Sequence, residues 1–248
     1  MYGERGRIGL ITLATDTGVL PEYQRVMPTG MAVYPAPILL PRGEVTPAAL
    51  SEMLDDDSLE RAASLLTWAG VGTIGFACTS GSFVHGVGWD RVLVERIERA
   101  AGVPATTTAT AVVGALRAVG ARTLAVATPY VDDLNRIERG FLEGNGFAVA
   151  AIAGLGCGTD AEIGRLGPAD AVRLAAEVDR PEVDAIFVSC TNWHCLEAVP
   201  ALEARFRKPV VTSNLAGAWA ALQAIGLAEA APGSAILLDR YLGVGAPA

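Results

Sequence analysis

The second half of the chain retraces the first, and that duplication constrains the fold more than any other feature. Short runs rich in Val, Ile and Leu alternate with longer amphipathic stretches throughout. Arg7-Ile8-Gly9-Leu10-Ile11-Thr12 returns as Arg122-Thr123-Leu124-Ala125-Val126-Ala127. Gly72-Thr73-Ile74-Gly75-Phe76-Ala77-Cys78 returns as Asp184-Ala185-Ile186-Phe187-Val188-Ser189-Cys190. Pro104, with Thr106-Thr107-Thr108 and Gly114-Ala115-Leu116 after it, returns as Pro209, with Thr212-Ser213-Asn214 and Ala220-Ala221-Leu222. Alternation of strand and helix is the pattern of a parallel α/β sheet, because parallel strands need a crossover between them. A doubled pattern of this kind predicts two related lobes facing each other, with equivalent strand ends pointing into a shared cleft.

The apolar runs predict strands over 7–13, 31–35, 73–78, 123–127, 148–153 and 185–190. Helices are expected over 46–66, 89–101, 110–119, 130–145, 168–178, 195–206 and 215–225. Pro47 and Pro168 each fall in a first helical turn, where the missing N–H does no harm. Residues 1–115 are expected to form the first lobe, with 216–248 returning to pack on it, and 116–215 the second. At 248 residues and 51% apolar, the chain has enough material for two cored units.

A net charge of −8 offers no electrostatic footprint for nucleic acid or for an anionic membrane. It does not exclude an anionic ligand, which backbone N–H groups and hydroxyls can hold locally. No apolar run approaches the ~18 residues of a membrane span, and residues 1–7 lead into a strand without the apolar stretch of a signal peptide. Four cysteines do not make a disulfide framework in a chain of this size. A cytoplasmic protein with reduced thiols is the expectation, and a homodimer is a sensible default.

Two of those thiols carry the chemistry. Cys78 and Cys190 end matching strands, and ligands of open α/β sheets bind at the carboxyl ends of strands. A buried structural cysteine is the commoner fate of a free thiol. Here the polar run Thr79-Ser80-Gly81-Ser82 after Cys78 is unlike a core, and its N–H groups are expected to lower the thiol pKa. Cys190 gains weight by recurring at the equivalent strand end, with Thr191 and Asn192 as further donors. Tyr130 follows a strand and either packs at a helix start or donates its phenol to a developing enolate. Asp16, after the first strand, either caps a helix or orients a substrate or a thiol. Cys157 and Cys195 have no repeat partner. With only His85 and His194 in the chain, no zinc ligand set can be assembled. Gly154-Leu155-Gly156-Cys157-Gly158 lacks the dinucleotide fingerprint. No cofactor or metal is implied.

Four stretches carry a family likeness: Cys78-Thr79-Ser80; Thr110-Ala111-Val112 through Gly114-Ala115-Leu116-Arg117-Ala118; Ala127-Thr128-Pro129-Tyr130-Val131-Asp132-Asp133; and Ser189-Cys190. On them the chain resembles the cofactor-independent aspartate/glutamate racemase superfamily, in the branch of arylmalonate decarboxylase, maleate cis-trans isomerase and the ectoine-utilisation proteins. The resemblance implies two pseudo-twofold-related lobes, each a parallel, flavodoxin-like, four-stranded sheet flanked by helices. It implies a carboxylate pocket at Thr79, Ser80 and Tyr130. The decarboxylase has glycine where Cys78 stands and keeps only the cysteine matched by Cys190, so two thiols place this chain nearer the isomerases and racemases. The isomerases carry asparagines where the nearest matches here are Asp16 and Asp160. That departure weighs against maleate itself and makes the ectoine-utilisation branch the easier fit.

The function expected from this reading is cofactor-independent isomerisation of a small carboxylate or dicarboxylate, in the manner of maleate isomerase. Cys78 and Cys190 are the catalytic pair, and Asp16, Thr79, Ser80, Tyr130, Asp160 and Thr191 bind substrate. The alternatives are an amino-acid or hydantoin-type racemase, an arylmalonate-type decarboxylase and, from another class, a carboxylate-binding sensor module.

Overall fold

The computed structural model describes residues 2–231 and 235–243. Strands β1 (Gly6–Leu13), β2 (Met31–Ile38), β3 (Thr73–Ala77) and β4 (Ala105–Thr107) form one parallel sheet in the order β2-β1-β3-β4. Strands β5 (Thr123–Tyr130), β6 (Ala148–Cys157), β7 (Ala185–Val188) and β8 (Val210–Thr212) form a second in the order β6-β5-β7-β8. The duplication read from the sequence is therefore a repeat of topology. Every residue of β3 and of β7 is buried, which is why these strands read as continuous apolar runs rather than alternating ones.

In each sheet the chain departs in opposite directions from its first strand, so the strand order reverses between β1 and β3 and again between β5 and β7. Such reversal points open a crevice beyond the carboxyl ends of the strands. Asp16 and Cys78 follow β1 and β3, while Tyr130 ends β5 and Cys190 follows β7. The four side chains thus stand at the two crevices.

The lobes meet through a pair of small-residue helices. Thr108–Ala118 and Ser213–Ala224 pack on each other, and each also touches strands of both sheets. Gly114 leaves room for Trp219 of the facing helix, which a Cβ would meet at 3.2 Å, whereas Gly217 makes room for Tyr23 of the helix Val19–Val26. Equivalent threonines start both helices: Thr107 Oγ1 accepts from Thr110 N and Thr212 Oγ1 from Leu215 N, each at 3.1 Å. Ser213–Ala224 also packs on the helix Val19–Val26. Of the segment 216–248, residues 232–234 and 244–248 lie outside the described residues. A strap from the first lobe crosses to the second, with Val45 N donating to Gly158 O at 2.9 Å and Glu44 pairing antiparallel with Thr159.

Several elements differ from expectation. The stretch 46–66 is two helices, Pro47–Leu54 and Ser58–Thr67, because Asp55-Asp56-Asp57 interrupts the apolar stripe. The helix expected from 195 starts at Val199 after a single turn, Leu196–Ala198, so Cys195 lies outside it. Tyr130 closes β5 instead of opening a helix, and the helix is Asp132–Gly144. β4 and β8 escaped the pattern because three residues are too few for a period.

Candidate active site

Cys78 is 2% exposed and keeps ordinary extended backbone. It caps the short helix Thr79–Phe83, its Sγ accepting from Gly81 N at 3.3 Å. Gly81 is required by close approach, since a Cβ there would meet Sγ at 2.9 Å. The expectation of a lowered thiol pKa is overturned. Burial pushes it up to about 12, the Gly81 N–H and the Ser80 hydroxyl offset only part of that, and the charges of Asp160 and Asp16 push the same way.

Cys190 is also buried but sits at φ +105°, a backbone that non-glycine residues rarely adopt. Its N–H donates to Ser213 Oγ at 2.9 Å, and the Thr79 hydroxyl donates to the same oxygen at 2.9 Å. Ser213 therefore ties the two cysteine loops together. The Thr191 hydroxyl adds a longer bond, 3.5 Å, to Ala77 O. Burial raises the Cys190 thiol well above its ordinary value, with Asp160 adding to the effect.

The loop after Cys190 is pinned by groups distant in sequence. Glu22 Oε1 accepts from Cys195 N and Leu196 N, both at 2.9 Å, and Glu22 Oε2 accepts from Asn214 Nδ2 at 2.8 Å. Asn192 Oδ1 accepts from Thr17 N at 2.8 Å, and its Nδ2 donates to Asp160 O at 3.0 Å. Trp193 is fully buried and donates to Gly167 O at 3.3 Å.

Tyr130 is held from behind. Its N–H donates to Thr128 Oγ1 at 3.1 Å, Thr128 donates to Asn135 Oδ1 at 2.5 Å, and Asn135 Nδ2 reaches Tyr130 O at 3.4 Å. Gly154 makes room for this network, because a Cβ there would meet Tyr130 O at 2.2 Å. The Tyr130 hydroxyl is buried without a hydrogen bond of ordinary geometry, although the Cys190 and Ser189 side chains stand beside it. Glu138 lies close by and accepts from the Ser189 hydroxyl at 2.6 Å, while burial pushes its carboxyl up to about 8.

Asp16 Oδ1 accepts from Gly18 N and Val19 N, each at 2.9 Å, so it braces the turn into the helix Val19–Val26, whose N-cap is Gly18 and not Asp16. Oδ2 is buried without a hydrogen bond. Asp160 accepts from the Thr15 hydroxyl at 2.5 Å. Burial pushes Asp16 up to about 6, and the charge of Asp160 adds to it.

Cys78, Thr79, Ser80, Tyr130, Asp160, Cys190 and Thr191 line one narrow cavity between the lobes, closed by Leu13, Leu40, Val45, Leu50 and Ile163. Asp16 stands beside it. Sequence reasoning missed Ser213, Glu22 and Glu138. Ser213 lies within the third repeated anchor. Glu22 and Glu138 lie on otherwise apolar stripes, between Val19 and Val26 and between Leu134 and Leu142, where a charge is out of place.

Residues 8–238 match the profile of a family described as arylmalonate decarboxylase. Arylmalonate decarboxylase of Bordetella bronchiseptica is 34% identical over 200 residues, covering 79% of this chain and 82% of the relative. Maleate isomerase of Pseudomonas putida is 28% identical over 244 residues, covering 94% and 97%. A crystal structure of a variant of the maleate isomerase Iso from Pseudomonas putida S16, with maleate, is similar with a TM-score of 0.87 and 27% identity, covering 96% of this chain and 99% of that one. A liganded arylmalonate decarboxylase, with a glycine changed to cysteine and a cysteine to serine, is similar with a TM-score of 0.86 and 31% identity, covering 94% and 99%.

Proposed function

This chain belongs to the arylmalonate decarboxylase family, and on that footing we propose that it is a cofactor-independent cis-trans isomerase of a small unsaturated carboxylate or dicarboxylate. The observation that carries the reading is the pair of buried thiols, one from each lobe, lining a single cavity with the buried Tyr130 phenol. A decarboxylase needs one proton donor and leaves Cys78 without a role.

Burial holds both thiols neutral at rest. Attack begins once Cys78 has lost its proton to solvent, since the thiolate is the nucleophile. The sulfur bonds to one alkene carbon, and the π pair moves onto the carboxylate of the neighbouring carbon as an enolate. Cys190 S–H protonates that carbon, leaving a single bond about which the adduct turns. Cys190 thiolate then takes the proton back, the C–S bond breaks, and the trans product leaves with Cys78 again a thiolate. Tyr130, Thr79, Ser80 and the peptide after each cysteine hold the carboxylate and the enolate charge, and Thr191 keeps the two loops in register.

The test is NMR of the purified protein with maleate in deuterated water, with malonates and amino acids in parallel. Fumarate is expected, and its loss in Cys78→Ser and Cys190→Ser supports the reading. Deuterium entering the α-position of an amino acid, with maleate intact, points to a racemase instead. Tyr130→Phe should slow turnover by about 10²–10³, the usual cost of one oxyanion donor, and leave the fold intact.

A further inference from the structure

The groups at the cavity differ in hydrogen-bonding character. The Tyr130 hydroxyl is buried, with the Cys190 and Ser189 side chains beside it and no hydrogen bond of ordinary geometry. Two carboxylates stand with it. Asp160, 2% exposed, lines the cavity, and Asp16 Oδ2 is buried and unpartnered while Oδ1 is taken by Gly18 N and Val19 N. The aspartate charges act on both cysteines and Asp160 acts on Asp16, whereas the charged forms that act on Tyr130 are those of Cys190 and Glu138. No Lys, Arg or His is among the described residues that line the cavity. A substrate with a carboxylate at each end therefore brings one anion against two more, with no cation to offset them.

Building on the isomerase reading, we propose that Asp16 and Asp160 determine specificity by accepting from a carboxamide, and that the substrate class is a cis-unsaturated acid with one carboxylate and one neutral carboxamide. The carboxylate faces Tyr130, and the two amide N–H groups reach Asp16 Oδ2 and Asp160. The carboxylate takes up the enolate charge when the thiolate adds, and the amide, also conjugated with the double bond, activates the alkene further. A hydrogen bond from a neutral donor to a charged acceptor is among the stronger ones available in a buried site.

Dianions are admitted only when an aspartate carries a proton. Asp16 is faced by Asp160, by the Thr191 hydroxyl and by the N–H groups of Gly18 and Val19. His194 stands beside Gly18, engaged with the Thr17 hydroxyl at 3.1 Å. Cys78 and Cys190 feel its charge from the cavity side. With Asp16 raised to about 6, acceptance of a dianion should fade as pH rises above that value, while acceptance of the monoamide should not.

The experiment compares kcat/KM for maleate and for maleamate, its monoamide, at pH 6 and pH 8 in the wild type and in Asp16→Asn. Asparagine keeps the oxygen that Gly18 and Val19 bond, and places an N–H2 where the unpartnered oxygen stands. The wild type should prefer maleamate at pH 8 by about tenfold or more, the range of one hydrogen bond to a charged group. The preference should narrow at pH 6. Asp16→Asn should shift it toward maleate by a similar factor, mainly through KM for maleate, at unchanged Tm. Wild-type protein that turns over maleate as well as maleamate at pH 8 overturns the proposal and leaves the isomerase reading intact. If neither is turned over, the isomerase reading fails, and saturated analogues decide the rest. Succinamate raising Tm more than succinate supports the aspartate pair as an amide site, and an equal or reversed effect overturns it.

Discussion

Cys78 and Cys190 follow matching strands of matching sheets, yet their surroundings are built differently. Cys78 turns at once into a helix, and the bonds it makes, to Gly81 and Ser82, stay within four residues. Cys190 sits at φ +105° and opens an irregular loop bonded to Ser213, Glu22, Thr17 and Asp160. The backbone at Cys78 is set locally, and its loop reaches the other lobe through the Thr79 hydroxyl on Ser213. The second loop holds its shape only when the lobes are docked, and it retains a backbone conformation that costs about 1–3 kcal/mol because its surroundings over-determine it. Duplication placed two thiols at equivalent points, and what each is bonded to has since made them unequal.

The largest expected effect separates the two thiols by role. Cys78→Ser and Cys190→Ser should each lose about 10²–10⁴ or more in rate, but only Cys190→Ser should accumulate substrate on the protein, read as added mass at Cys78. An adduct in Cys78→Ser and none in Cys190→Ser would reverse the assignment.

A second effect belongs to the Cys190 side alone, where Ser189 bonds the buried Glu138. Burial raises the Glu138 carboxyl from 4.5 to about 8, so the folded state favours its neutral form. Its contribution to stability is complete below pH 4.5 and lost as pH rises through 8. Within that window stability should fall by up to about 1.4 kcal/mol per pH unit. Chemical denaturation of Glu138→Gln across pH 5–8 should lack that component. A wild type and variant with parallel pH curves would show that Glu138 is charged in the folded protein.

The smallest effect tests the backbone contrast directly. At position 190, Cys190→Gly should be more stable than Cys190→Ala by about 1 kcal/mol, because glycine alone accepts that φ without penalty. At position 78 the order should invert, Cys78→Gly falling below Cys78→Ala by about 0.5–1 kcal/mol. Thermal denaturation of the four variants checks both signs, and the same order at both positions would remove the contrast.

Much of the fold was legible before any coordinates. The alternation of apolar runs and amphipathic stretches, and its recurrence, announced two parallel sheets. What escaped notice was short or polar. β4 and β8 are three residues each and contain threonines, and Asp55-Asp56-Asp57 broke a helix whose apolar spacing continued on both sides. Of the candidate site, the sequence points to the residues on repeated strand ends and, with the family resemblance, to Asp16 and Asp160, but not to Ser213, Glu22 or Glu138. Ser213 belongs to the repeated anchor Thr212-Ser213-Asn214, and Glu22 and Glu138 carry a signal of their own, a carboxylate on an otherwise apolar stripe.

The sequence by itself determined the strand ends where Cys78, Tyr130 and Cys190 stand, because hydrophobic spacing and repetition are properties of neighbouring residues. Only the tertiary structure decided their chemical state. The N–H groups after Cys78 predict a lowered thiol there, yet both thiols are raised because the docked lobes bury them and two aspartates from other loops stand beside them. Burial and charge are set by groups that are close in space and far apart along the chain, and no spacing rule carries that information.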